Sequence, residues 1–250
     1  MTISPFTRRR IPIAADYAPG VRSDGDRRSL GEVDAAPRVL TEPPPVADAR
    51  VRYGELPLQF ADRYGEGEPR VVFVHGGFWK PEYELTHAGH ACAALAAVGI
   101  PTLNLEYRRD DWRNTLADLR AGIVLVERAV VVGHSAGGHL ALWTQLPAVA
   151  LAPVADLEEA RRLGLGGAAV ERFLGNSPAA YAEAAPRKGE APQTLIHGTA
   201  DEVVPFALSA RYAEATGARL VALEGAGHFE PIEPWSSEWP AVLREIEELL

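Results

Sequence analysis

The stretch that decides the fold is Ala129-Val130-Val131-Val132-Gly133-His134-Ser135-Ala136-Gly137-Gly138, followed by His139-Leu140-Ala141-Leu142-Trp143. Four apolar residues with three β-branched in a row read as a strand buried on both faces, and the run after Gly138 reads as a helix through Leu146. Between them the chain must reverse within a few residues. Glycines two before and two after Ser135 remove the Cβ atoms that would collide in so sharp a turn. Gly138 adds room for the helix to lie against its strand. Working outward, the same grammar recurs. Val71–Val74 is a strand ending at His75-Gly76-Gly77, Ala88–Val98 a helix closed by Gly99, and Pro101–Leu105 a strand. Trp112–Glu127 carries Leu116, Leu119, Ile123 and Val126 at helical spacing, while Ala148–Val154, Gln193–His197 and Arg219–Leu223 are further strands. Helices are expected near Pro205–Thr216 and Ser237–Leu250. Continuous apolar strands alternating with helices predict an α/β domain with a mostly parallel sheet covered on both faces.

That domain is expected over residues 51–250, with a short Ala/Gly-rich cap at about 156–188. Residues 1–50 carry Arg8-Arg9-Arg10 and Pro43-Pro44-Pro45 without a sustained period, and read as an extended or partly ordered arm, either a flap over a site or a solvated tail. The chain of 250 residues has 25 Lys+Arg against 34 Asp+Glu, a formal charge of −9. An acidic balance of this kind disfavours nucleic acid and anionic membrane surfaces as partners. One cysteine, Cys92, excludes an internal disulfide. No apolar run reaches the roughly 18 residues of a membrane span, and the N-terminus lacks a secretion-type apolar core, so a cytoplasmic location is expected.

Gly133-His134-Ser135-Ala136-Gly137 places Ser135 as a candidate nucleophile. A serine hydroxyl needs a base to take its proton. Of seven histidines, His228, in Glu224-Gly225-Ala226-Gly227-His228, sits in a Gly-rich loop between a late strand and the last helix. His75 and His197 end core strands and read as hydrogen-bonded core residues. His87 and His90, at i and i+3, read as a solvated helix face, with no third ligand near them to make a metal site. Asp201, in Gly198-Thr199-Ala200-Asp201-Glu202-Val203-Val204-Pro205, is the candidate acid orienting the base, or alternatively a cap of the helix after Pro205; Asp156 and then Glu224 are weaker candidates. Backbone N–H groups of Gly77, Phe78 and Ala136 are candidates to hold an oxyanion. Phe78, Trp79, Tyr107, Trp112 and Phe229 follow strand ends, where they would form an aromatic pocket wall or simply core. Trp79, Tyr107 and His134 are the candidate substrate contacts. Arg108-Arg109 would bind a substrate carboxylate or, as surface pairs, cover the sheet edge.

The set His75-Gly76-Gly77-Phe78-Trp79, Gly133-His134-Ser135-Ala136-Gly137-Gly138, Gly198-Thr199-Ala200-Asp201 and Gly225-Ala226-Gly227-His228 resembles the α/β-hydrolase superfamily over roughly residues 55–250. Within it, the esterase/lipase branch with an HGG oxyanion loop is the nearer match. The H-G-G-aromatic-Trp form departs from the HGGG of hormone-sensitive-lipase-like esterases and is closer to arylformamidases (kynurenine formamidases). The resemblance implies hydrolysis of a small carboxylic ester or N-formyl amide by a Ser-His-Asp triad, with no metal or cofactor. An acyltransferase or a catalytically inactive binding module on the same fold are the alternatives. A prolyl-oligopeptidase-type peptidase would need a large extra domain for which 250 residues leave no room.

Overall fold

Val71 and Phe73 of strand β3 (Val71–Val74) face one apolar cluster and Val72 and Val74 the other, all four fully buried. The computed structural model describes residues 36–250, and in it β3 lies near the centre of a sheet covered on both sides. The other strands are β1 (Ala49–Arg52), β2 (Phe60–Tyr64), β4 (Thr102–Leu105), β5 (Val130–His134), β6 (Ala148–Leu151), β7 (Gln193–Gly198) and β8 (Arg219–Leu223). Their order in the sheet is β1-β2-β4-β3-β5-β6-β7-β8. β2 runs antiparallel to its neighbours β1 and β4, and every pairing from β4 through β8 is parallel. The α/β class expected from the apolar runs is therefore observed. The antiparallel β1–β2 ribbon was not anticipated, because Arg50, Arg52, Asp62 and Arg63 break any continuous apolar run there.

One side of the sheet is covered by α2 (Gly89–Ala97) and α9 (Trp239–Glu247), which bury Leu95, Val242 and Ile246. The other side carries α3 (Trp112–Ile123), α4 (Ala136–Trp143) and α8 (Phe206–Thr216), which bury Leu116, Leu119, Leu140 and Leu208. Each such side chain removed from water contributes about 1.5–3 kcal/mol. α3 begins where Asp111 accepts the Arg113 N–H at 2.8 Å, an N-cap that stops the strand-to-helix loop.

The expected arm of residues 1–50 divides. Residues 1–35 lie outside the described residues. Residues 36–50 are built into the domain: a single turn, α1 (Arg38–Thr41), buries Val39 in the cluster with α2 and α9, and β1 begins at Ala49. The arginine and proline content hides this contribution, because the segment docks through a few separated apolar side chains, Val39 with Leu40 and Ala47, that show no period. The cap region holds three short helices, α5 (Leu157–Arg162), α6 (Leu165–Leu174) and α7 (Pro178–Ala184). It reaches back to the main sheet, since a Cβ on Gly166 would collide with the Phe78 ring.

Every parallel strand from β3 to β8 ends on the same edge, so the loops after β3, β5, β7 and β8 converge there. Convergence depends on how closely α4 can approach. A Cβ on Gly137 would overlap the carbonyl oxygens of Val74 and His75, and one on Gly133 would overlap the carbonyl of Gly137. Gly137→Ala is therefore expected to cost about 3 kcal/mol or more, because rigid backbone has to move. Gly99→Ala, at φ +82 with open space around it, is expected to cost only the left-handed strain of about 1–2 kcal/mol. Urea unfolding of the two variants checks this, and equal losses would contradict the close-approach argument.

Candidate active site

Ser135 stands between β5 and α4 with φ 56° and ψ −119°, a region costly for any residue with a Cβ. The turn is held on both sides: the Ser135 N–H donates to Leu151 O at 2.8 Å, and Ser135 O accepts from the N–H groups of His139 and Val154. The side chain is 1% exposed, and its Oγ has no hydrogen-bond partner.

His228 follows β8. Its Nδ1 lies 2.7 Å from Asp201 Oδ2, so Nδ1 carries the proton and donates it to the carboxylate. Its Nε2 is buried and without a partner. The loops carrying the two residues are stitched together by Ala200 N–H to Ala226 O at 3.0 Å and Gly225 N–H to Thr199 Oγ1 at 2.9 Å. Asp201 Oδ1 accepts the N–H groups of Val203 and Val204, each at 2.8 Å. Asp201 is thus both the local turn-former and the partner of His228, two roles that sequence reading set against each other. Asp156 instead caps α5 by accepting the Glu159 N–H at 2.9 Å. Burial alone would raise the Asp201 pKa, but His228 and His197 hold it well below the usual carboxylate range.

The loop after β3 abuts the serine, since a Cβ on Gly76 would sit 3.0 Å from Ser135 Cβ. Gly77, Phe78 and Trp79 have φ of 112°, 51° and 54°, three left-handed residues in succession. Only the first is glycine, so the other two hold the loop in a strained conformation that its surroundings must enforce. Several buried groups do so. The Tyr107 hydroxyl donates to His75 O at 2.8 Å, the Tyr107 ring stacks on the His75 ring at 4.5 Å, and His75 Nε2 meets Glu106 Oε1 at 3.1 Å. Arg109 pairs with the same carboxylate, and Leu85 N–H donates to its other oxygen at 3.1 Å. Burial opposes the Glu106 charge, yet His75 and Arg109 bring its pKa down to about 2.

These positions decide between the expected alternatives and depart from some expectations. Tyr107 is fully buried and is a prop of the loop rather than a contact for substrate, because its hydroxyl is already committed to His75 O. His134 lies behind His228, with ring centroids 4.7 Å apart, and its Nε2–H donates to His228 O at 2.9 Å; it too faces protein. Burial, with His228 and His87 nearby, pushes its pKa well down and keeps it neutral. Trp79 is 3% exposed and stacks on Phe173 of α6 at 4.8 Å, edge-on to His139, while its Nε1 is without a partner. Phe78, Trp112 and Phe229 are likewise buried, as core rather than open wall. Arg108 makes a two-pronged pair with Asp118 at 2.7 Å, and Arg109 is internal, so both arginines are structural. His87 and His90 do not form a solvated face: His87 lies edge-on to His75 at 5.8 Å, and His90 Nε2 meets Glu42 O at 3.2 Å. The helix turns out to start as a 3-10 turn at Leu85, which rotates His87 inward. Among the described residues no group of three or more His, Cys, Asp or Glu is placed to hold a metal, and no helix is long and apolar enough to cross a membrane.

With this geometry in hand, the relatives are informative. Residues 71–186 match the model of the alpha/beta hydrolase family. Esterase LipC of Mycobacterium tuberculosis is 25% identical over 236 residues, covering 72% of this chain and 59% of that protein, so the chain spans about three-fifths of its length. Among solved structures, a truncated carbohydrate esterase from gut microbiota superposes with a TM-score of 0.67 at 15% identity, covering 83% of this chain and 99% of that one. Esterase B from Lactobacillus rhamnosis, determined with a tributyrin phosphonate, gives 0.64 at 18% identity, covering 84% and 87%. The chain has the α/β-hydrolase fold.

Two pH windows follow for stability. Burial lowers the His139 pKa from 6.5 to about 4, with Nε2–H donating to Ala184 O at 2.8 Å. The unfolded chain then takes up a proton that the fold refuses, so stability falls as pH drops from about 6.5 toward 4. Glu106, with a folded pKa of about 2, contributes stability that is present above the ordinary carboxylate value and lost below it. Urea midpoints measured across pH are expected to flatten in the upper window for His139→Gln and in the lower one for Glu106→Gln.

Proposed function

We propose that the protein is a serine hydrolase that cleaves small carboxylic esters, with Ser135 as nucleophile, His228 as base and Asp201 as the orienting acid. The observation that carries this reading is a pair of buried, unpartnered atoms, Ser135 Oγ and His228 Nε2, with the other nitrogen of His228 bound to Asp201. An unsatisfied buried polar group costs about 1–3 kcal/mol, and one on a strained serine with another on a carboxylate-bound histidine call for a chemical role. The esterases among the relatives support the ester bond as the target.

In the proposed reaction His228 Nε2 removes the hydroxyl proton as Ser135 Oγ attacks the carbonyl carbon. The N–H groups of Gly77, Phe78 and Ala136 receive the oxyanion. Collapse of the tetrahedral intermediate expels the alcohol, which takes the proton from Nε2 and leaves an acyl-serine. Water, deprotonated by the same nitrogen, then releases the acid. Asp201 remains ionised throughout, which its depressed pKa allows. The short cap, with α6 against Phe78, supports small acyl groups over long lipid chains. The His75-Gly76-Gly77-Phe78-Trp79 loop favours one second reading, hydrolysis of an N-formyl aryl amide, in which the nitrogen is the leaving group.

The test compares p-nitrophenyl acetate, butyrate and octanoate with N-formylkynurenine, using the native chain and Ser135→Ala. Acetate and butyrate turnover is expected to dominate and to drop by at least about 10³-fold in the variant, with unchanged melting temperature. Dominant N-formylkynurenine turnover would select the second reading. Ester turnover that survives in Ser135→Ala would overturn both.

A further inference from the structure

We infer that His197 is a positioning residue for the Asp201–His228 pair, forming with Ser209 a second hydroxyl–imidazole arm on the same carboxylate. This inference rests on the reading of Ser135, His228 and Asp201 given above and deepens it by naming what regulates the acid.

His197 lies near the end of β7, fully buried, four residues before Asp201. Its Nε2 is 3.1 Å from Asp201 Oδ2 and 2.9 Å from Val204 O. A carboxylate and a carbonyl can only accept, so Nε2 carries the proton and shares it between them. Nδ1 is then a lone pair, and the Ser209 hydroxyl, 2.6 Å away in α8, donates to it. Ser209 is itself fully buried. Four groups therefore stand in one hydrogen-bonded series: His228 on one side of the Asp201 carboxylate, His197 and Ser209 on the other.

The division of labour between the two carboxylate oxygens makes the arrangement more than packing. Oδ1 takes both N–H groups of its own turn, from Val203 and Val204. That leaves Oδ2 as the one oxygen that His228 Nδ1–H can use, and His197 donates to that same oxygen. A histidine serving only as filler would be satisfied by Ser209 and Val204 O. Each added donor on Oδ2 stabilises the ionised carboxylate and makes it a weaker acceptor for His228, which lowers the stability of the imidazolium formed during reaction. Ser209 polarises the His197 ring and strengthens its donated bond. The arm thus sets how basic His228 is without touching substrate.

The other titratable groups around the pair leave this control with Asp201. His134 faces His228 from β5 with its ring centroid 4.7 Å away and is kept neutral by burial. His87 lies beyond His134 at 6.3 Å, with burial and His75 lowering its pKa to about 3. The Glu230 carboxylate lies close to Gly227, the residue before His228. On the His197 side α8 presents Ser209 and the edge-on ring of Phe206 at 5.7 Å.

The experiment uses the full chain and four variants, His197→Phe, His197→Gln, Ser209→Ala and Ser135→Ala. Two readouts are followed: the pH profile of p-nitrophenyl acetate hydrolysis, and the downfield proton resonance of His228 Nδ1–H titrated by NMR. In His197→Phe the acid limb of kcat/KM is expected to rise by about one pH unit as His228 becomes more basic. Its kcat on the plateau above that limb is expected to stay within about 3-fold and its KM within about 2-fold, because no group that touches substrate is removed. The His228 resonance should move further downfield and titrate at the higher pH. His197→Gln, which restores a donor to Oδ2 and an acceptor for Ser209, should return both readouts toward the native values. Ser209→Ala should show a smaller rise of the acid limb. A folded His197→Phe protein with a native acid limb and a native His228 titration would overturn the proposal. Should His197→Phe fail to fold, Ser209→Ala decides: a raised acid limb supports the arm, an unchanged one overturns it. The His228 titration needs no turnover, so it still tests the arm if ester hydrolysis persists in Ser135→Ala and the triad reading fails.

Discussion

Everything at the carboxyl edge of the sheet depends on how closely the first turn of α4 can lie against the ends of β3 and β5. The carbonyls of Val74 and His75 occupy the space a Cβ on Gly137 would need, and the Gly137 carbonyl occupies that of Gly133. With those two contacts the chain turns inside a few residues and Ser135 is driven to φ 56°. Were α4 to stand off by even a methyl group, Ser135 could relax to an ordinary conformation. Gly76 would then lose its packing against the serine, and with it the register between the two loops. The parallel strands supply the rigid frame, and the glycines let the frame carry strain at one point.

A second organising element is the Asp201 carboxylate, which ties backbone and side-chain structure together. It closes its own turn through Val203 and Val204, and it orders His228 and His197 through a single oxygen. A buried carboxylate is tolerable only when its lone pairs are filled, and here four donors fill them. The loops after β7 and β8 are joined by further bonds between Ala200 and Ala226 and between Gly225 and Thr199, so His228 is positioned by two loops that hold one another.

The strained loop after β3 has its own buried support in His75, Glu106, Tyr107 and Arg109. Two arginine–carboxylate pairs follow β4, Arg109 with Glu106 inside and Arg108 with Asp118 nearer the surface. Neither arginine is left to greet a ligand. In a dipeptide that looks like an anion receptor, Arg109 is consumed by Glu106 beside the strained loop and Arg108 by Asp118, which shows why charge in a sequence says little until its partners are known.

What the sequence alone determined are the features set by local rules: the buried strands, from their β-branched runs; the sharp turn at Ser135, from its spaced glycines; and the order of Ser135, Asp201 and His228 along the chain. The α/β class was legible from these, because apolar periodicity and glycine spacing act over a few residues, and the α/β-hydrolase fold from the resemblance of the motifs at the strand ends. Tertiary structure decided the rest. Val39, Ala49–Arg52 and Phe60–Tyr64 join the domain only because distant elements offer them a surface. Tyr107 and His134 look like site residues by position, but the groups they bond to, His75 O and His228 O, lie 32 and 94 residues away. His197 looked like an ordinary core histidine, and its bond to Asp201 emerged only when the loop after β7 folded back over the strand end. Hydrogen bonds of buried side chains are chosen by whatever the fold brings within about 3 Å, and one-dimensional spacing carries no record of that choice.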